Sequence, residues 1–269
     1  MNKAKCELVI LIAHFNNLDG LKSSLESIRE DFSIDIVIVD DGSKQKPNLE
    51  DIKKWYSNGN VTLDLLPKNQ GVGIAANRGL EIIKEIGYEF IGRLDCGDKC
   101  LPNKYKKQLE HLKKNPDVML LGTWANMVNE QGELLYVLRH PTNYDEIKRE
   151  MYLNSTFINP TVVFRSKVLE KIPEYRYEYR HAAQDYAFFF DVIKLYRAEN
   201  LPEALLDYEI SPHAISTKKR KLQVKNRLKI IMSNFKFTPF VVYSLVRNSV
   251  LYFMPRGVLE NMKKLLDKK

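Results

Sequence analysis

The feature of this sequence that most limits its fold is a regular alternation of strand-like and helix-like segments over the first hundred residues. Four short runs rich in apolar and β-branched residues are predicted strands, at 7–13, 34–39, 61–66 and 88–94. Between them, apolar residues recur every three or four positions, which is typical of amphipathic helices. Strands that alternate with helices indicate βαβ units and a parallel sheet. The sequence therefore predicts an α/β fold with a mostly parallel central sheet flanked by helices.

The carboxyl ends of these four strands are expected to meet at one edge of the sheet. Crossover connections between parallel strands are right-handed in nearly all proteins, so successive strands point the same way. The segments that follow the four strands are 13–17, 40–43, 69–73 and 93–98. Because ligands of open α/β sheets bind outside the carboxyl ends of the strands, we expect these four segments to line one crevice.

The second half of the chain predicts further strands and a different final segment. Strand-like runs occur at 118–121, 161–164 and 204–210, a hairpin joins 124–128 to 134–138, and a helix begins at Gln184. From residue 217 onward the sequence is cationic, apolar and helical. We therefore expect a domain at 1–216, with halves at 1–100 and 101–216, and a basic helical extension at 217–269.

Acidic residues follow two of the predicted strands. Asp40 and Asp41 follow the second strand, in an Asp-Gly-Ser turn of a kind that also caps helices. Asp95 and Asp98 follow the fourth, where carboxylates serve as metal ligands, ribose acceptors or helix caps. The glycine-bearing turn at 69–79 allows close backbone approach to a ligand, but it has neither the P-loop nor the dinucleotide-binding pattern. NTP hydrolysis and a dinucleotide cofactor are therefore disfavoured.

The order of these motifs resembles one enzyme family. Asn16, the Val-Asp-Asp-Gly-Ser run at 39–43, the Asn-x-Gly repeats at 69–79 and Arg-x-Asp-x-x-Asp at 93–98 are similar to the motifs of family 2 glycosyltransferases with the GT-A fold. The similarity continues through Pro102 with Gln108, residues 159–165 and Gln184-Asp185-Tyr186, and covers residues 7–216. The resemblance implies a GT-A, Rossmann-like catalytic domain that transfers a sugar from a nucleotide sugar with inversion.

The resemblance also implies roles for individual residues. Asp41 would bind the nucleotide base, and Asp40 or the backbone near Ala13–Phe15 would support it. The implied nucleotide-sugar-binding residues are Ala13, His14, Phe15, Asn16, Asp40, Asp41, Asn69, Gly71, Asn77, Arg93 and Asp95. Asp95 and Asp98 would hold a divalent cation, Mn²⁺ or Mg²⁺, because such cations prefer carboxylate and phosphate oxygens. Gly97 stands where the family usually has another acid, so this chain offers one carboxylate fewer. Arg93 suits a carboxylate or phosphate partner, and a purely structural ion pair is an equal alternative.

Asp185 is the predicted catalytic residue. In the resemblance it occupies the acidic position at which an inverting transferase needs a base to accept the proton of the attacking hydroxyl. It lies beside an apolar stretch, Tyr186 and Phe188–Phe190, at the start of a predicted helix. The alternative is an ordinary acid stabilised by the helix N-terminus. His213, two positions out of register with a histidine of the family, is interpreted as a loop residue rather than a ligand.

Charge separates the extension from the rest of the chain. From His213 onward there are fourteen lysines and arginines against two acids, a net charge of +12, which leaves −4 for the first 212 residues. A mildly acidic body with a basic extension indicates an anionic membrane surface rather than nucleic acid as the partner. The alternative is an extension that packs on the catalytic domain or on a second subunit in a homodimer.

The predicted location is cytoplasmic and peripheral, on the inner face of the cell membrane. No signal-peptide pattern is found at the N-terminus, and no run of eighteen apolar residues is present. The three cysteines, Cys6, Cys96 and Cys100, form no even set of bridges and are expected to be free thiols of a reducing compartment.

The predicted function is transfer of a UDP-hexose or UDP-N-acetylhexosamine sugar to a glycan or lipid-linked acceptor, in the synthesis of a bacterial surface polysaccharide such as O-antigen or capsule. The alternatives are a dTDP-rhamnose transferase of the same family, a nucleotidyltransferase, and a non-enzymatic basic module that binds membrane or nucleic acid.

Overall fold

A computed structural model describes residues 6–210 and 219–254. His213 and the ends of the extension, at 217–218 and 255–269, lie outside the described residues. The proposed boundary at 216/217 therefore stays a prediction.

The first hundred residues form the predicted alternation of strands and helices. The elements are β1 (Leu8–His14), α1 (Leu18–Ser27), β2 (Asp35–Asp40), α2 (Leu49–Trp55), β3 (Val61–Leu65), α3 (Val72–Ile86) and β4 (Phe90–Arg93). β1 pairs in parallel with both β2 and β4, and β2 pairs in parallel with β3. The carboxyl ends of all four strands therefore share one edge of the sheet, as the topology argument predicted.

The second half extends the same sheet with mixed pairing. Its elements are β5 (Lys99–Cys100), α4 (Lys104–Lys114), β6 (Val118–Val128), β7 (Leu134–Leu138), α5 (Tyr144–Glu150), β8 (Val163–Arg165), α6 (Gln184–Leu195) and β9 (Arg197–Glu209). The strand order is β3-β2-β1-β4-β8-β6-β9-β5, with β7 paired to β6. The predicted α/β class, a central sheet flanked by helices, is confirmed.

Three sequence-based boundaries in this half differ from the structure. The runs at 118–121 and 124–128 form one strand, β6. The strand predicted at 161–164 begins at Val163, because 159–161 form a 3₁₀ turn in which Pro160 lacks the amide that a strand needs. β9 begins seven residues before the predicted 204, because its polar first part pairs with β6 rather than following an apolar pattern.

Apolar residues are buried on both faces of the sheet. One cluster joins β1, β2 and β4 to α3 and α6, and the other joins the same strands to α1, α2 and α4. A Cβ added to Gly79 of α3 would lie 2.1 Å from Leu11 Cδ1, so this glycine permits close helix–sheet packing. The buried sheet is thus held between helices, which fixes the positions of the loops at its carboxyl edge.

Two helices of the basic extension pack on the domain. They are α7 (Arg220–Ser233) and α8 (Pro239–Phe253). Ile230, Ile231 and Val241 join the larger apolar cluster, and Ser244 donates a buried hydrogen bond to the carbonyl of Tyr152. Within 6–210 and 219–254, no helix is long and apolar enough to cross a membrane. One side of these two helices therefore packs on the catalytic domain, which is the alternative to membrane binding. The other side is exposed.

Candidate active site

The carboxylate of Asp40, at the end of β2, forms its hydrogen bonds with neighbouring protein groups. It accepts a hydrogen bond from His14 Nδ1 at 2.7 Å and from the amide of Ser43 at 3.0 Å, and also contacts the Ser43 hydroxyl. The amide of Asn17 donates to His14 Nε2 at 3.2 Å, so the ring proton is assigned to Nδ1. Asp40 and His14 are fully buried. This group therefore supports the crevice from beneath.

Asp41 holds the glycine-bearing turn after β3. Its carboxylate accepts from the side chain of Asn69 at 2.9 Å and from the amides of Gln70 and Gly71 at 2.8 and 2.9 Å. Burial raises the pKa of Asp41, while the hydrogen bonds from the two amides oppose that rise. A carboxylate can accept about four hydrogen bonds, so one position is left for a ligand.

Asp95, after β4, is the more open acid of the site. Asn159 donates to both of its oxygens at 3.1 Å, and Arg93 Nη2 lies 3.6 Å from Oδ1. Its side chain is 39% exposed, whereas Arg93 is 1% exposed. The 3₁₀ turn that shortened β8 is what carries Asn159 to this position. Asp95 can therefore meet a ligand without first breaking a buried hydrogen bond.

Arg93, the last residue of β4, is a buried cation next to Asp95. Its Nε and Nη1 have no hydrogen-bond partner among the described residues, and neither has the hydroxyl of Tyr175. The guanidinium lies over the Tyr175 ring, 5.9 Å from its centroid. A buried guanidinium without full pairing is costly. The positive charge of Arg93 is balanced in part by the nearby carboxylate of Asp95.

Asp98 has a different setting from Asp95. It is 5% exposed, and Oδ1 accepts from the amide of Glu209 at 3.1 Å. Burial raises the pKa of Asp98 well above its ordinary value, and the charge of Asp95 acts in the same direction. Gly97, between them, has φ of +108°, and a Cβ added there would meet Asn17 Nδ2 at 3.9 Å, an ordinary van der Waals contact.

Asp185 lies in the first turn of α6. The left-handed residue Ala183 precedes this helix, and the carboxylate of Asp185 accepts from the amide of Tyr186 at 2.8 Å. Burial raises the pKa of Asp185. The charge of Asp95 adds to the rise, and that of Arg93 opposes it. Tyr175, whose ring lies beside the Arg93 guanidinium, also packs on Phe188 of α6 with ring centroids 4.8 Å apart, and Phe188 is one helical turn after Asp185.

The remaining predicted binding residues lie around this edge in different roles. Phe15 is 46% exposed, and the left-handed residue Asn16 accepts from the amide of Lys44. The carbonyl of Ala13 faces the thiol of Cys96 at 3.7 Å. Asn77 exchanges two hydrogen bonds with the backbone of Tyr175, at 2.7 and 2.8 Å, so its amide holds that segment against α3.

The sequence reasoning gave no site role to Asn159, Tyr175 or His181. Asn159 belongs to the motif at 159–165, but that motif alone assigns it no contact. His181 lies against the glycine turn, since a Cβ added to Gly71 would come within 2.6 Å of His181 Nδ1. No local pattern marks these residues, because each reaches the site through contacts distant in sequence.

The described residues contain no group of three or more histidines, cysteines or acids that could hold a metal ion. Asp95 fits a cation that is also bound by a ligand, because its carboxylate is partly exposed. Asp98 does not fit as readily, since it is buried and hydrogen-bonded to the backbone.

Comparison with known proteins agrees with this arrangement. The model of the glycosyl transferase family 2 matches residues 9–173, which is more than half of the chain. The chain belongs to this family and is a glycosyltransferase. The nucleotidyltransferase and the non-enzymatic module are thereby set aside. Among curated proteins, the amylovoran biosynthesis glycosyltransferase AmsE of Erwinia amylovora is 25% identical, over 93% of this chain and 96% of AmsE.

Solved structures show the same fold. The mannosyltransferase PcManGT of Pyrobaculum calidifontis, in complex with GDP-Man and Mn²⁺, superposes with a TM-score of 0.65 at 13% identity, over 99% of this chain and 81% of that one. S. aureus TarS 1–349, in complex with UDP-GlcNAc, gives 0.64 at 16% identity, over 91% and 73%. This chain spans 44% of the longer TarS chain. At these identities the likeness establishes the GT-A fold alone.

Proposed function

We propose that this glycosyltransferase inverts the anomeric centre of a UDP-hexose or UDP-N-acetylhexosamine and passes the sugar to a glycan or lipid-linked acceptor. The proposed setting is the synthesis of a bacterial surface polysaccharide. One observation carries the catalytic part of the proposal: the Tyr175 ring packs on the Arg93 guanidinium of β4 and on Phe188 of α6, one helical turn after Asp185. In the proposal, a base and a donor-side acid thus lie at the edge where ligands of such sheets bind. AmsE supports the polysaccharide setting, and the TarS complex supports a UDP-sugar.

In the proposed reaction Asp185 accepts the proton of the acceptor hydroxyl. The hydroxyl oxygen forms a bond to the anomeric carbon from the face opposite the nucleotide, and the bond from that carbon to the diphosphate oxygen breaks. Burial of Asp185 makes its carboxylate more basic than a solvated one, which favours proton transfer. The positive charge of Arg93 opposes that rise and so favours an ionised, active carboxylate.

On the donor side we propose that Asp41 uses its remaining acceptor position for the nucleotide base, with Asp40 as its support. The residues of the implied binding set that lie around them, from Ala13 to Asn16 and at 69–71, would shape the nucleotide pocket. dTDP-rhamnose stays the alternative donor, since none of these contacts distinguishes uracil from thymine.

A divalent cation, Mn²⁺ or Mg²⁺, would be held by Asp95 and by the donor diphosphate, with Asp98 as a second ligand only after it leaves Glu209. GT-A glycosyltransferases commonly use such a cation, and PcManGT is in complex with Mn²⁺. When bound, the cation would neutralise charge on the departing diphosphate. Arg93 would supply fixed positive charge from below.

A donor screen tests the function. UDP or dTDP release is measured for UDP-glucose, UDP-galactose, UDP-GlcNAc and dTDP-rhamnose, with Mn²⁺. Asp185→Asn should lower turnover by about 10²- to 10⁴-fold, the usual contribution of a general base. Asp191→Asn, on the same helix but paired with Arg176, is the matched control and should retain most turnover. Equal turnover in both variants would contradict the assignment of Asp185.

We also propose that the exposed side of α7 and α8 meets an anionic membrane, at the inner face of the cell membrane. The described part of the extension, 219–254, contains no aspartate or glutamate, and Lys221, Lys225 and Lys229 are exposed along one side of α7. Phe237 and Phe253 are 91% and 80% exposed. Basic and exposed aromatic side chains together suit a membrane interface.

Vesicle binding tests this surface without removing helices that belong to the core. Changing Lys221, Lys225 and Lys229 together to Gln should weaken binding to phosphatidylglycerol vesicles by roughly 100-fold, at about 1 kcal/mol per basic residue. The exposed lysines Lys46, Lys53 and Lys114, changed together to Gln, provide the control. Equal binding of both variants would contradict the proposal, and a stable dimer in light scattering would favour a second copy of the chain at this surface.

A further inference from the structure

The segment 180–183, called here the bridging segment, connects three parts of the molecule. It follows Tyr179 at the end of a 3₁₀ turn and leads directly into α6, where Asp185 lies. Its backbone touches the glycine turn of the donor side on one side and α7 of the extension on the other. The position of Asp185 therefore depends on contacts made by both.

The donor-side contact is close and uses main-chain atoms. The amide of Gly73 donates to the carbonyl of Arg180 at 3.0 Å. A Cβ on Gly73 would lie 2.8 Å from Arg180 Cα, so the two backbones are in direct contact there. The turn that Asp41 holds is thus fastened to the bridging segment.

The contact from the extension is a single buried side-chain hydrogen bond. Asn226 of α7 donates from Nδ2 to the carbonyl of Ala182 at 2.9 Å. Asn226 is 5% exposed and Ala182 is 1% exposed, so water does not readily replace this bond. The next residue, Arg227, donates to Asn248 of α8 at 3.2 Å, which ties the pair of helices together at the same level.

The bridging segment ends in an unfavourable backbone conformation. Ala183 has φ of +64°, in the left-handed region, where an alanine is rarely found. Such a conformation persists only where surrounding contacts impose it. The hydrogen bonds from Gly73 and Asn226 are contacts of that kind, and the direction in which α6 begins follows from them.

We propose that Asn226 is a positioning residue for Asp185, so that the extension is part of the catalytic unit and not only a membrane anchor. The proposal rests on the proposed function, in which Asp185 is the base. Loss of the bond to Ala182 lets Ala183 relax and displaces the carboxylate. Because Asp41 holds the donor turn through Asn69, Gln70 and Gly71, independently of the bridging segment, donor binding changes little.

The test compares Asn226→Ala with Ser244→Ala in the full chain. Ser244 is a matched control because it makes the same kind of buried bond, from α8 to the carbonyl of Tyr152, away from the bridging segment. Steady-state UDP release from UDP-glucose, UDP-galactose and UDP-GlcNAc gives kcat and the donor KM. Asn226→Ala should lower kcat by about 10- to 100-fold with the donor KM nearly unchanged, as expected for a small displacement of a reacting group.

Hydrogen–deuterium exchange of peptides spanning 180–187 provides a measurement that needs no activity. Exchange there should be faster in Asn226→Ala and unchanged in Ser244→Ala. Equal exchange in the two variants, or an equal loss of kcat, overturns the proposal. Full turnover in Asp185→Asn would instead remove the proposed base, while faster exchange confined to Asn226→Ala would still show that Asn226 holds the segment.

Discussion

The ends of β2 and β4 carry similar acidic sequences and use them differently. At the end of β2, Asp40 and Asp41 are 0% and 3% exposed, and protein donors occupy the carboxylate of Asp40 and all but one acceptor position of Asp41. At the end of β4, Asp95 is 39% exposed and is held by the amide of Asn159 and a neighbouring Arg93. β2 and β4 lie on either side of β1 and run parallel to it, so both ends are at the same edge of the sheet and strand direction does not explain the difference.

The difference separates carboxylates that stabilise the loops of the site from carboxylates that can bind a ligand. A carboxylate saturated by protein donors fixes the loops around it, and its removal leaves several buried donors unsatisfied. A carboxylate with exposed oxygens adds little to stability and is free to bind a ligand. Substitution should therefore affect activity most at the β4 end and stability most at the β2 end.

The largest expected effect is on activity at the β4 end. Asp95→Asn should lower kcat by about 10²- to 10³-fold, the usual cost of losing an electrostatic contact to the reacting groups. Its free energy of unfolding should fall by about 1–2 kcal/mol, because Asp95 is partly exposed but the buried Arg93 loses its counter-charge. UDP release and urea denaturation measure the two quantities.

Removal of divalent cations belongs to the same comparison. EDTA should lower turnover of the wild type, and Mn²⁺ should restore it far less in Asp95→Asn than in Asp117→Asn, an exposed acid outside the site. Equal restoration would show that Asp95 does not hold the cation.

The next effect is on stability at the β2 end. Asp40→Ala leaves the amide and hydroxyl of Ser43 and the ring of His14 without their acceptor. The free energy of unfolding should fall by at least about 3 kcal/mol, the lower end for three buried groups that each cost about 1–3 kcal/mol when unsatisfied. Asp64→Ala, which removes a partly exposed ion pair with Arg78, should cost less than about 1 kcal/mol. Similar losses in urea denaturation would mean that the Asp40 contacts contribute little.

The smallest expected effect is a shift in pH dependence. Burial and the charge of Asp95 raise the pKa of Asp185, and the charge of Arg93 opposes that rise. Arg227 is a second cation near Asp185, whose negative charge acts to raise the pKa of Arg227. The proposed role of Asp185 as the base requires an ionised carboxylate, so kcat/KM should fall as the pH drops through this raised pKa. Arg93→Gln removes a positive charge that lowers the pKa of Asp185. The acidic limb of the pH–rate profile should therefore move to higher pH.

The control for that shift is Arg93→Lys, which keeps a positive charge at the same position. Its acidic limb should stay near that of the wild type in the same pH–rate measurement. A limb that moves equally in both variants would point to altered packing around Tyr175 instead of lost charge.

The sequence predicted the first half of the fold well and the second half less well. β1 and β2 are continuous apolar runs closed by polar turns, a pattern that depends on neighbouring residues. β9 has no such pattern in its first seven residues, because pairing with β6 over a long register provides its hydrogen bonds. Asn159 received no site role for a similar reason: the local sequence does not reveal that its turn meets Asp95.

What the sequence determined by itself is the set of acids at the ends of parallel strands, since alternating strands and helices bring those ends to one edge. Only the tertiary structure decided which acids are saturated and which are open. Donors to Asp41 come from 28 to 30 residues away, and Asn159 reaches Asp95 across 64 residues. It also decided that the basic extension shares the core and contacts the segment before Asp185. Such contacts depend on how distant segments pack, and no local periodicity encodes them.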